Sequence, residues 1–149
     1  MRLFSRLICI TLLALFSASA SAATINKTLL GGLAVDGYDV VAYHSDHQAL
    51  KGKREFRHDW NGATWQFASA AHLQQFKTDP ARYAPQYGGY CAYAVAAKNE
   101  LVDIDPEAFT IVDGKLYLNY SKKIQAQWEA RRSDYIAQGD RHWPGLSAQ

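Results

Sequence analysis

Cys91 and the histidines carry most of the coordination and nucleophilic chemistry open to this 149-residue chain. Cys9 lies in an apolar stretch near the N-terminus, which leaves Cys91 as the single thiol of the remainder. A thiolate with neutral imidazoles suits Cu(I), Cu(II) or Zn(II). The candidate partners are His44, His47, His58 and His72. The His44-x-x-His47 spacing can bring two imidazoles together, and two solvated loop histidines are its more common explanation. His58 falls on the aromatic face of a strand pattern, a place suited to a core histidine.

Two other chemistries are open to the same residues. Gly88-Gly89 just before Cys91 can open a helix whose N–H groups favour a thiolate. There is no Cys-x-x-Cys, so a redox role needs a resolving thiol from another molecule. Tyr38, Tyr43, Tyr87, Tyr90 and Tyr93 can line a ligand pocket or a partner surface, or form the core with their hydroxyls at its edge. Cys91 itself can be a packing residue. Asp39, Asp79, Asp103 and Asp105 form no recognisable acid–base pair, and Asp79 and Asp113 read as turn residues. No phosphate loop, Ser-His-Asp order or dinucleotide fingerprint is present. A binding protein is expected rather than an enzyme.

The elements that must position these side chains are legible in part. Arg54 to Trp60 alternates, with Phe56, His58 and Trp60 on one face. Asn61-Gly62 follows as a hairpin turn, and Trp65 and Phe67 continue on one face, so residues 54–68 read as a β-hairpin. Ser69 caps a helix carrying Ala70, Leu73 and Phe76 as its buried stripe. Asp79-Pro80 ends that helix, and Pro80 begins a further turn through Tyr83. Residues 85–97 are aromatic and Gly-rich, without a periodicity. Phe109–Val112, Asp113-Gly114 and Lys115–Asn119 form a second hairpin. Ser121 caps a final amphipathic helix with Ile124, Trp128 and Tyr135 on one face and Gly139 as its stop. His142-Trp143-Pro144 then closes the fold. The expectation is a small single α+β domain with two β-hairpins, short helices and a C-terminal amphipathic helix, without internal repeat.

The N-terminus reads as a secretory signal. Arg2 and Arg6 precede an apolar run from Leu7 to Phe16, and Ala20-Ser21-Ala22 offers a cleavage site. The run is shorter than the roughly 20 residues a bilayer span needs. A periplasmic or secreted protein is expected, cleaved after Ala22, with a flexible leading segment over residues 23–32 and the domain proper over 33–146. The chain has 16 Lys+Arg and 14 Asp+Glu. Both surplus cations, Arg2 and Arg6, leave with the signal, and no basic run remains to suggest nucleic acid or an anionic membrane.

Several segments together resemble the exported YHS-domain proteins of bacteria. They are Gly37-Tyr38-Asp39-Val40-Val41-Ala42-Tyr43, Trp65-Gln66-Phe67-Ala68-Ser69 with Phe76, Asp79-Pro80 and Tyr83, and Pro85-Gln86-Tyr87-Gly88-Gly89-Tyr90-Cys91-Ala92-Tyr93-Ala94-Val95. Val112 to Tyr120 and Trp143-Pro144 continue the likeness over nearly all of the chain beyond the signal. The resemblance implies a small α+β fold and an association with metals. The metal-associated form of the domain carries three cysteines, where this chain has Ala42, Ala68 and His72, so its thiolate set cannot be transferred. Some exported members carry selenocysteine at the position of Cys91, which implies redox or soft-metal chemistry there. The resemblance thus points to Cys91 as the anchor of a soft-metal site, with copper the best fit. His72, at a ligand position of the metal-associated pattern, and His44 are its partners. The other party is then a metal ion or a periplasmic protein, and single-cysteine redox chemistry or a non-catalytic binding module are the alternatives.

Overall fold

The computed structural model describes residues 24–149, and the expected signal with Cys9 lies outside them. Two antiparallel hairpins organise the chain. Strands β1 (Lys53–Trp60) and β2 (Ala63–Phe67) pair with His58 opposite Trp65 and Trp60 opposite Ala63. The turn between them places Asn61 and Gly62 at φ 50° and 77°, the two left-handed positions a tight hairpin needs. Strands β3 (Asp105–Val112) and β4 (Lys115–Asn119) repeat the arrangement, with Asp113 and Gly114 at φ 51° and 73°. Each hairpin is followed by a capped helix. Ser69 Oγ accepts from His72 N at the start of α2 (Ala70–Thr78), and Ser121 Oγ accepts from Ile124 N at the start of α5 (Lys122–Ala130), both at 3.2 Å. The mixed helix–strand fold and both hairpins agree with the sequence reading.

The sequence shows no internal repeat, yet the structure contains one. A shift of 52 residues (39 to 91, 69 to 121) superposes the element boundaries without insertion: β1 on β3, β2 on β4, α2 on α5. The same shift relates α1 (Val40–Ser45) to α4 (Ala92–Lys98), which starts at the matching position. It also maps every non-glycine residue with positive φ onto another residue with positive φ: Val35 on Tyr87, Asp36 on Gly88, His47 on Asn99 and Asn61 on Asp113. The loop bond Asp39 N to Leu50 O recurs as Cys91 N to Val102 O, at 2.8 and 2.9 Å. Few side chains survive the shift, among them Gly37/Gly89, Tyr38/Tyr90, Gly62/Gly114 and Ser69/Ser121. These are the residues that turns and caps require, so the repeat is carried by backbone chemistry rather than by core composition.

The two units share one core. Val40, Val41, Tyr43, Trp65, Phe67 and Phe76 of the first pack with Cys91, Ala94, Leu116 and Leu118 of the second. A smaller cluster joins Tyr87, Val95, Tyr117 and Trp128 to Leu146. Short α3 (Pro80–Tyr83) links the units, and α6 (Arg132–Leu146) follows α5 after a break at Arg131, whose φ is −138°. Here the sequence reading needs correction. The final helix is two helices, and Gly139 does not stop the second. It is a buried interior position, where a Cβ would stand 2.6 Å from the Tyr87 hydroxyl. The leading segment is held by Asn26 N to Gly88 O at 2.8 Å and Thr24 Oγ1 to Ser147 O at 3.1 Å.

Candidate functional site

Asp39 is the polar centre of the first unit. Its side chain is fully buried and accepts four hydrogen bonds. Oδ1 takes Val41 N and Ala42 N at 2.9 and 3.2 Å, which caps α1. Oδ2 takes Ala68 N at 2.8 Å, at the end of β2, and His72 Nδ1 at 2.6 Å. One carboxylate therefore ties together α1, β2 and α2. The Nδ1 proton is fixed by this contact, since an unprotonated nitrogen would not approach a carboxylate oxygen so closely. In the neutral ring the lone pair is then on Nε2. That atom lies 3.4 Å from Ser45 Oγ and 3.8 Å from Asp46 Oδ2. The His72 side chain is 15% exposed and that of Asp46 is 40% exposed, so Nε2 sits at the edge of the protein.

Asp39, Ser45 and His72 line up as carboxylate, imidazole and hydroxyl, an arrangement that the chain order does not suggest. It lacks the features of a nucleophilic triad. Ser45 Oγ already bonds Val41 O at 3.1 Å, and it sits on the last turn of α1, where the backbone carbonyls gather. That end of a helix disfavours the oxyanion that acyl transfer must stabilise. A histidine that donates one ring N–H to a buried carboxylate while the other nitrogen faces outward is instead the usual support of a metal ligand.

The other predicted residues lie apart from this pair. Cys91 is buried, and its Sγ faces Asn119 Oδ1 at 3.7 Å. The same oxygen accepts Tyr93 N at 3.1 Å, which fixes the amide orientation. The sulfur therefore points at an amide oxygen and not at a cation or an imidazole. His44 packs edge-on against Tyr83, with its Nε2 buried and without a partner. Burial holds its pKa below the ordinary 6.5, opposed by the Tyr83 backbone and reinforced by Arg82 and His47. His47 is an exposed loop residue, and His58 stands edge-on to Phe76. Tyr43 and Tyr87 are core residues, while Tyr38, Tyr90 and Tyr93 are half-buried. Among the described residues, no three His, Cys, Asp or Glu side chains converge as a metal cluster. Cys91, His72 and His44 share no polar partner.

The repeat explains the separation. Cys91 occupies in the second unit the position of Asp39 in the first, and Ile124 occupies that of His72. The cap that Asp39 Oδ1 supplies to Val41 N is supplied to Tyr93 N by Asn119, reaching across from the end of β4. Sequence reasoning treated Asp39 as unpaired and passed over Asp46 and Asn119. An aspartate just before Val40-Val41 was a visible helix-cap signal. Its pairing with a residue 33 positions away was not visible.

Residues 41–87 match the YHS domain family. The match lies almost wholly in the first unit and includes Asp46 and His72 but not Cys91. No curated protein matches the chain. No solved structure matches it.

Proposed function

We propose, for a chain that carries a YHS domain over residues 41–87, that it is a periplasmic metal-binding domain anchored at His72 Nε2. The metal is Cu(II) or Zn(II), Asp46 is the second protein ligand, and water or a partner group completes the shell. The observation that carries this reading is the 2.6 Å contact from His72 Nδ1 to the fully buried Asp39, with Nε2 turned toward Asp46. A further support is that the family match includes Asp46 and His72, in a family associated with metals. Imidazole and carboxylate donors suit both ions, and affinity at such sites generally favours Cu(II) over Zn(II). Asp39 sets the tautomer and the orientation of the ring.

The test is a titration of the protein with Cu(II) and Zn(II), and with Cu(I) under reducing conditions, beside His72→Gln, Asp39→Asn and Cys91→Ser. Binding of one equivalent should be lost in His72→Gln and weakened about 10- to 100-fold in Asp39→Asn, the usual effect of removing an outer-shell partner. Cys91→Ser should bind as the parent does. If Cys91→Ser abolishes binding while His72→Gln keeps it, the anchor is the thiol and the metal is Cu(I). That is the second reading, suggested by the soft donor at Cys91.

A further inference from the structure

A pocket of about 310 Å³ opens beside Cys91. Under the 52-residue shift its wall residues fall on the surroundings of the Asp39–His72 pair. Cys91 maps to Asp39, Lys98 to Asp46, Tyr120 to Ala68 and Ile124 to His72. The second unit thus places other side chains at the positions of the first unit's polar pair. A cation of the kind that His72 and Asp46 suit has no ligands here, since an isoleucine and a lysine stand in their places.

We infer that this second cleft is a binding site for a small amphipathic anion, an aliphatic carboxylate whose chain enters the pocket and whose head meets Lys98. Two observations support it. Val102, Ile124 and Ala94 give the cleft apolar walls, and Lys98 is the one charged residue that lines it. A neutral apolar guest leaves that ammonium unused, and a cation is repelled by it. Tyr120, one of three large hydrophobic residues left exposed among those described, is 58% exposed at this pocket. Its ring is placed to cover a guest. The pocket has the size and character of small-molecule sites, apolar with a few polar groups. This inference is independent of the metal reading, since the two clefts share no residue.

The test uses hexanoate, hexan-1-ol and hexylamine at constant ionic strength, with a chelator present so that the His72 site plays no part. Calorimetry reads affinity. Hexanoate should bind saturably, with hexylamine the weakest of the three. Lys98→Gln, a change at an exposed side chain, should weaken hexanoate by about tenfold, the order of one charge-assisted contact. Cys91→Ala should still bind hexanoate, because the sulfur is not the anchor. Equal binding of the three probes, an unchanged affinity in Lys98→Gln, or an absence of saturable hexanoate binding would each overturn the assignment.

Discussion

At the scale of single residues, Asp39 connects fold and site. Its four hydrogen bonds join two helices and a strand end, and an asparagine there has only one acceptor atom. Its amide nitrogen must face either the Ala68 N–H and the His72 ring or, with the amide flipped, the Val41 and Ala42 N–H groups, and in both cases a donor meets a backbone donor. Asp39→Asn should therefore lower stability by about 2–4 kcal/mol, the range for losing charge-assisted bonds in a buried site. The urea midpoint, read with an unchanged denaturant slope, checks it. Tyr87 gives a prediction in pH. Burial, helped by its bond to Asp140, pushes its pKa far above the ordinary 10.0. Below about pH 10 the phenol is protonated in both states. Above it the unfolded chain loses a proton that the folded state keeps, so stability falls as pH rises. Tyr87→Phe should fall less steeply than the parent above pH 10, and Tyr43, raised by burial in the same sense, leaves a residual slope. Unfolding midpoints at a series of alkaline pH values decide this.

At the scale of elements, the hairpins and their caps were legible because each rests on local chemistry. Asn61-Gly62 and Asp113-Gly114 name their turns, and Ser69 and Ser121 name their helix starts. The two-helix C-terminus was not legible, because tertiary contact gives Gly139 its meaning. The Tyr87 hydroxyl donates to Asp140 Oδ1 at 3.0 Å, with Ile136 O 3.3 Å away, so the hydroxyl end of the ring is held against α6 beside Gly139. A side chain at 139 would collide with it. Gly145, on the same helix, has nothing within 4 Å of a built Cβ. Gly139→Ala should thus cost about 1–3 kcal/mol, as overpacking does. Gly145→Ala should be neutral or stabilising by up to about 1 kcal/mol, since alanine loses less backbone freedom. If both substitutions behaved alike, intrinsic helix propensity would be the whole effect and the Tyr87 contact would carry no weight.

At the scale of the whole molecule, the question is whether two repeated units behave as two folding units. Their core says otherwise. The first unit buries Tyr43, Trp65 and Phe76 in a cluster that also needs Leu116 and Leu118 from β4 and Cys91 from the start of α4. Tyr43 reaches across to donate to Pro106 O at 2.7 Å. Tyr93 packs against both clusters. Neither unit can close its apolar face alone, and a half-length chain would also bury a smaller fraction of its surface. The repeat escaped sequence analysis for the same reason: fusing two units into one core lets each specialise its buried side, so Phe67 became Asn119 and His72 became Ile124 while the turns stayed fixed. One cooperative transition is therefore expected in urea. Tryptophan fluorescence, read in variants that keep only Trp65 or only Trp128 of the four tryptophans, reports one cluster each. Cys91 labelling reports the seam between the units. All three should share a midpoint, as a two-state domain requires. A fragment ending at Tyr83 should show no cooperative unfolding. Separate midpoints, with Trp128 released before Cys91 becomes reactive, would mean that the second cluster opens by itself while the shared cluster around Cys91 stays closed.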